Sequence, residues 1–340
     1  MRLATVFDLD ANEPRPIFEL PGGQRVALRE LFRSEGADID RLPIFFSDIA
    51  CAVQHLDDVV DAARDWARSR ADLTGDARSL PSRRMKFLPP VPAPRNFRDY
   101  HAFEAHVRGM RAGLGMTSDM PAAWYDQPSF YFGNAGALVG HEHAVYGPAG
   151  SNQLDFELEL GMIIGRGGRD IVGKDAWKHV AGFTIINDFS ARDLQADEMS
   201  LGFGPGKGKD FATAVGPYLV TLDQMKDRID DTGRLHLNMT AKINGKEVCR
   251  GNAASMHFTW PQIIEHASRD AELFPGDLIG SGAVGGGCIL EIGVDTTGGW
   301  LKPGDTVELE IERLGILRTP IVDHPPTRAG NSVRRAHALT

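Results

Sequence analysis

Three acids stand at every second position in Leu154-Asp155-Phe156-Glu157-Leu158-Glu159-Leu160. Alternate side chains of an extended strand share a face. The spacing therefore predicts Asp155, Glu157 and Glu159 on one face, and Leu154, Phe156, Leu158 and Leu160 on the other. Like charges so placed repel, and a hard divalent cation is the simplest counter-charge. The competing reading is an acidic strand face washed by solvent. The continuation Gly161-Met162-Ile163-Ile164-Gly165 weighs against it. That run predicts a strand buried on both faces, where unpaired charge is costly.

Three further segments carry polar groups that could do chemistry. In Ile185-Ile186-Asn187-Asp188-Phe189-Ser190-Ala191-Arg192-Asp193-Leu194-Gln195 an apolar strand ends at Asp188. Ser190 and Asp193 have the spacing of a capping box, which predicts a helix start. Polar side chains converge where strands end and helices begin, so Asp188 could join Glu157 and Glu159 on one cation; a simple turn at Asn187-Asp188 is the alternative. Asn96 to His106 holds Asp99, His101, Glu104 and His106 on a predicted helix. Asp99 and His106 are seven apart and share a face, and His101 and Glu104 are three apart and can touch. Histidine titrates near neutral pH and suits general-base work, although a lone histidine is more often a surface or core residue. The Gly-rich stretch from Gly202 to Thr213 contains Lys207 and Lys209 but lacks phosphate-loop spacing. Its lysines could reach an anionic substrate.

The elements that must position these groups are mostly strands. Short apolar runs recur (FELELGMIIG, AGFTIIND, AVGPYLV, LNMTAKING and DTVELEIERLG), separated by turn signals such as Asn244-Gly245 and Pro303-Gly304-Asp305. Helices are predicted over Phe97 to about Ala112, after Ser190, and over Trp260 to Ser268. Strands outnumber helices without regular alternation, which predicts an α+β fold rather than a doubly wound sheet. Residues 1–90 read as a small leading unit, with a strand at MRLATVF and helical spacing of Val53, Leu56, Val59, Val60, Ala63 and Trp66. The proline-rich Leu88–Phe97 stretch marks a joint. Residues 91–322 form the larger unit and 323–340 a tail.

The bulk numbers exclude several classes. The chain has 340 residues, 42% apolar and 24% charged, the balance of an ordinary globular protein. A net charge of -9 argues against a nucleic-acid partner. Cys51, Cys249 and Cys288 have no paired spacing, which argues against disulfides and cysteine-built zinc sites. No signal-peptide pattern and no apolar run of the roughly 20 residues a membrane span needs are evident. A cytoplasmic enzyme of small molecules is the expectation.

The ordered set is similar to the fumarylacetoacetate hydrolase family: an Asp followed seven later by His, then LDFELELGMIIG, then INDFSARDLQ, then a Gly-rich loop with Lys-Asp-Phe-Ala-Thr. The resemblance covers about residues 91 to 315. It implies a mixed β-sandwich roll with a small β-rich leading domain. It implies that Glu157, Glu159 and Asp188, with Asp99 as fourth carboxylate, hold a divalent cation, Mg²⁺ first and Mn²⁺ or Ca²⁺ next. His106 falls on the family's base and Glu291 on the acid that orients it. Lys209 matches the lysine near the metal, Thr213 a nearby hydroxyl, Arg192 and Gln195 the residues flanking substrate, and Tyr131 a substrate-contacting tyrosine. Asp155 matches none of the ligands. Smaller acylpyruvase-like members use a His and a Glu three apart, a spacing that His101 and Glu104 share. The segment Gly280–Gly287 lacks the threonine and acid expected in fumarylacetoacetase itself.

The implied activity is metal-dependent hydrolysis of a carbon–carbon bond in a small β-diketo acid or acylpyruvate by His106-activated water. Lys209 and Gln195 would stabilise developing negative charge, and residues 107–130 would cover the site. A metal-dependent dehydratase, isomerase or decarboxylase of 2-keto acids is the alternative on the same residues. A non-catalytic metal-stabilised binding protein would need no base. By resemblance alone, a homodimer is expected.

Overall fold

Leu158–Ile164, Val180–Asp188 and Thr213–Thr221 are buried along their whole length. Apolar residues fill most of these positions, and β-branched ones suit a pleated, covered surface. The three strands lie side by side and form the middle of the molecule's main sheet. The computed structural model describes residues 1–19, 23–28, 49–53, 56, 59–61, 63, 84–117 and 119–325. Among these, 11 strands make that sheet. Its path runs through Arg25–Ala27, Glu13–Glu19, Arg2–Asp8, Thr213–Thr221, Val180–Asp188, Leu158–Ile164, Leu278–Ala283, Phe97–Tyr100 and Phe130–Phe132. Most neighbours are antiparallel, but Phe97–Tyr100 runs parallel to Leu278–Ala283. A separate four-stranded sheet contains Lys246–Asn252, Asn238–Ile243, Thr306–Ile311 and Gly315–Pro320, its first hairpin closed by Asn244 and Gly245 at positive φ. The architecture is the strand-rich α+β expected.

Alternation splits the apolar residues of the main sheet between two cores. Leu160, Met162, Ile164, Phe183 and Ile185 belong to one, with Trp260 and Ile263 of the Trp260–Ser268 helix. Ile163, Ile186, Val215 and Phe97 belong to the other, together with Leu3, Phe18 and Val26 of the leading residues. The sheet and this second core therefore run across the joint placed near residue 90. The predicted leading helix is helical where it is described, with Val53, Val59, Val60 and Ala63 buried; Trp66 lies outside the described residues, as does the tail beyond Pro325. No helix among the described residues is long and apolar enough to cross a membrane.

Two local expectations are corrected. Phe97–Tyr100 is a strand, and the helix begins only at Glu104 and ends at Gly113. Pairing with both Leu278–Ala283 and Phe130–Phe132 overrides the helical spacing there. The other helix spans Arg192–Ser200 without a side-chain cap, because Ser190 pairs with Asp155 in a short ladder and its hydroxyl donates to the Asp188 carbonyl. The helix at Trp260–Ser268 is as predicted, with Thr259 and Gln262 forming its capping box.

Candidate active site

The face of the sheet that carries the second core turns from apolar to acidic at one end. Glu159 lies four residues before Ile163, Asp188 two after Ile186, Asp99 two after Phe97 and Thr213 two before Val215, so each shares a face with its apolar mate. Register brings them together: Asp188 pairs with Thr213, and Asp99 with Gly280 and Tyr131. Asp99, Glu159 and Asp188 each offer an oxygen, and these atoms lie within 4.8 Å of one another. Gly280 makes the room. A β-carbon there would meet Asp99 Oδ1 at 2.3 Å and Glu159 Oε2 at 3.0 Å.

Glu159 is the unsatisfied member of this trio. Both Glu159 oxygens are buried without a hydrogen-bond partner. Burial, then the charges of Asp99 and Asp188, push the Glu159 carboxyl well above its ordinary value. Burial and Asp188 push Asp99 up to about 8. Asp188 is also raised by burial, although Lys209 opposes the shift. Three converging buried carboxylates, one of them with neither oxygen partnered, fit a hard cation, which takes oxygen ligands.

Glu157 lies beside the trio, linked to Asp188 through the Lys209 ammonium. Lys209 Nζ donates to its Oε2 at 2.5 Å and Arg192 Nη2 to its Oε1 at 2.8 Å. Burial would raise this carboxyl, but Lys209 and Arg192 outweigh it and hold it below the ordinary range. The expectation that Asp155 shares one strand face with Glu157 and Glu159 is corrected. The strand is interrupted, because the Glu157 N–H donates to the Asn187 side chain at 3.1 Å and the ladder resumes at Leu158. Asp155 turns aside to accept from Arg192 Nε at 2.8 Å and from the N–H groups of Ile289 at 2.7 Å and Leu290 at 3.1 Å.

Lys209 also donates to Asp188, as do Tyr131 through its hydroxyl at 2.5 Å and Thr213 at 3.1 Å. Burial alone would lower the Lys209 pKa, but Asp188 and Glu157 raise it, so its ammonium stays charged. The Gly-rich loop reaches in because Gly208 lies against Gln195, where a β-carbon would be 2.8 Å away. Gln195, one turn after Arg192, accepts from Arg192 Nη1 at 2.9 Å.

The Glu104–Gly113 helix adds a candidate base. His106 is its buried residue, and its Nδ1 lies 2.6 Å from Glu291 Oε1. Gly286 N donates to the other Glu291 oxygen at 3.0 Å, and Cys288 Sγ donates to Oε1 at 3.4 Å. With Nδ1–H donating to the Glu291 carboxylate, the Nε2 lone pair can take a proton. Nε2 lies 3.9 Å from Glu157 Oε1, at the border of the charged cluster. Two glycines that the sequence reading passed over seat this helix. β-Carbons at Gly109 and Gly113 would lie 2.5 Å from Glu291 Oε2 and 2.9 Å from the Leu290 side chain and carbonyl. Glycines four apart in a helical run, each costly to the helix, were the available signal.

His101 and Glu104 do not stand as a second pair. His101 occupies the loop before the helix, where burial and then His106 lower its pKa to about 4. Its carbonyl accepts from Trp124 Nε1 at 3.2 Å. Glu104 bonds Tyr125 at 2.7 Å and Arg108 at 2.8 Å on the outer side of the helix.

Fold and site together define a strand-rich α+β protein with a histidine–glutamate dyad beside a buried carboxylate cluster able to hold a metal ion. Residues 95–322 match the family described as fumarylacetoacetate (FAA) hydrolase C-terminal, and the chain belongs to that family. It is 31% identical over 269 residues to the oxaloacetate tautomerase YisK of Bacillus subtilis, covering 76% of this chain and 79% of that protein. Human mitochondrial oxaloacetate tautomerase FAHD2A is 34% identical over 197 residues, 58% of this chain, and the match spans 59% of the human protein's length. The fumarylacetoacetate hydrolase structure from psychrophilic Exiguobacterium antarcticum shares the fold, with a TM-score of 0.66 at 24% identity over 95% of this chain and 100% of that one. The two curated relatives are both described as oxaloacetate tautomerases.

Proposed function

We propose that this chain is a divalent-cation-dependent enzyme that hydrolyses a carbon–carbon bond in a small β-diketo acid or acylpyruvate. The observation that carries the reading is the His106–Glu291 contact of 2.6 Å beside a carboxylate trio whose Glu159 oxygens lack partners. Asp99, Glu159 and Asp188 would hold the ion, Mg²⁺ by preference, with Glu157 at their edge. Once bound, the ion would supply Lewis-acid polarisation of a substrate carbonyl.

The chain's own residues do the rest. His106 Nε2 takes a proton from water as the water oxygen attacks the substrate carbonyl, and Glu291 steadies the imidazolium. Lys209 remains an ammonium and, with Gln195, stabilises negative charge as it develops on oxygen. Arg192 holds Glu157 and Gln195 in place, while Tyr131 and Thr213 fix Asp188. When the carbon–carbon bond breaks, its electron pair stays with the departing carbon. That carbon takes the proton back from His106, and an acid is left on each side of the cut.

A second reading is tautomerisation, in which His106 removes the proton from carbon and returns it without adding water. The two relatives described as oxaloacetate tautomerases favour it. Acylpyruvates, fumarylacetoacetate and oxaloacetate, each supplied with Mg²⁺ or Mn²⁺, distinguish the two. Stoichiometric release of two acids supports hydrolysis. Keto–enol equilibration without cleavage supports the tautomerase. Turnover that survives EDTA rejects cation dependence in either. A homodimer in the cytoplasm is part of the same proposal, and light scattering after gel filtration tests its stoichiometry.

A further inference from the structure

Beside the oxygen-rich trio lies a second donor set of different chemistry. His106, Cys288 and Glu291 offer nitrogen, sulfur and oxygen atoms within 4.8 Å of one another. We propose that these three residues form a second cation site, selective for Zn²⁺ over Mg²⁺, whose occupancy withholds the His106 base.

Donor type argues for the ion. Zinc takes imidazole, thiolate and carboxylate, whereas Mg²⁺ demands oxygen. Charge argues for it too. A thiolate and a carboxylate neutralise a divalent ion, which a buried site needs. Cys288 is 0% exposed and His106 1%. The donors are already gathered: Cys288 Sγ donates to the same Glu291 oxygen that faces His106 Nδ1, and Gly286 N anchors the other oxygen. The backbone is fixed as well, since Asp155 accepts from the N–H groups of Ile289 and Leu290, directly after Cys288. Binding has a defined proton balance. Cys288 gives up its thiol proton to solvent, His106 enters as neutral imidazole and Glu291 as carboxylate, so one proton leaves per ion bound.

Co²⁺ is the probe, because ligation by thiolate produces near-ultraviolet charge-transfer absorption that carboxylate ligation does not. Full-length protein held in excess Mg²⁺ is titrated with Co²⁺. One equivalent is expected to bring up the band, Zn²⁺ to bleach it, and Cys288→Ser to lose it. Absence of the band in the unmodified protein, or its persistence in Cys288→Ser, overturns the site, the latter moving the ion to Cys51 or Cys249. Should Cys288→Ser fail to fold, as judged by circular dichroism, His106→Ala carries the same test, since an undiminished band there excludes the imidazole. The inhibitory part rests on the functional reading above. Zinc that bleaches the cobalt band yet leaves turnover intact would keep the site and remove His106 from its role as base.

Discussion

Gly109 and Glu291 meet at a distance that admits no side chain: a β-carbon at position 109 would lie 2.5 Å from Glu291 Oε2. The helix carrying His106 thus approaches the dyad's acid through a glycine. Gly109→Ala would favour the helix by about 1 kcal/mol, but overpacking costs about 1–3 kcal/mol. We expect a lower melting temperature and, because Glu291 must shift, a fall in kcat of at least about tenfold with smaller change in KM. Unchanged kcat would separate this contact from the chemistry.

Glu291→Gln keeps the shape of the side chain and removes the charge facing His106 Nδ1. Loss of an oriented base lowers rates by roughly 10²–10⁴-fold. The drop should appear in kcat, while cation affinity, measured by calorimetry, stays near that of the unmodified protein. A comparable loss of cation affinity would instead place Glu291 among the ligands.

Glu159→Gln replaces one of three crowded, buried carboxyl groups with a neutral amide. Without added metal this variant should unfold at a higher temperature than the parent protein, because burial and repulsion both oppose the Glu159 carboxylate. The parent should gain about 2.7 kcal/mol at a cation concentration 100-fold above its dissociation constant, and the variant little. Differential scanning calorimetry with EDTA and with Mn²⁺ compares the four states.

Asp99 sets a pH dependence in the metal-free protein. Its carboxyl moves from the ordinary 3.8 up to about 8 on folding, through burial first and Asp188 next. Between those values the folded chain holds a proton that the unfolded chain has released. Stability from this group is therefore complete below the unfolded value and is lost as pH rises toward about 8. Urea denaturation in EDTA across that window should show the decline, and Asp99→Asn should flatten it. An equal slope in the variant would assign the effect elsewhere.

The acids and the histidine were legible because buried charge is rare and its spacing conspicuous. The run from Asp155 to Glu159 announced a charged site, and the apolar residues after it announced a covered strand. Its internal geometry was not legible. Alternation assumes an unbroken ladder, and the Asn187 side chain, thirty residues on, takes the Glu157 N–H and breaks it. Asp99 and His106 have helical spacing, yet Asp99 is drawn into the sheet by partners far along the chain. Glycines 109 and 280 matter through what would collide with them, and the colliding atoms belong to residues more than 150 positions away or on neighbouring strands. Such meanings arise only on folding.

The main sheet also bears on how far the chain can be shortened. Thr213–Thr221, which delivers Thr213 to Asp188, is flanked on its other side by Arg2–Asp8, with Arg2 opposite Val220 and Leu3 opposite Leu219. The family match begins only at residue 95. A fragment trimmed to the matched region would bare the ladder groups of that strand and uncover Val215 and Leu219, which pack with Leu3 in one core. Open, apolar strand edges recruit other chains. The leading residues thus act as a sealing margin for the sheet, and a minimal catalytic fragment should self-associate unless that margin is kept.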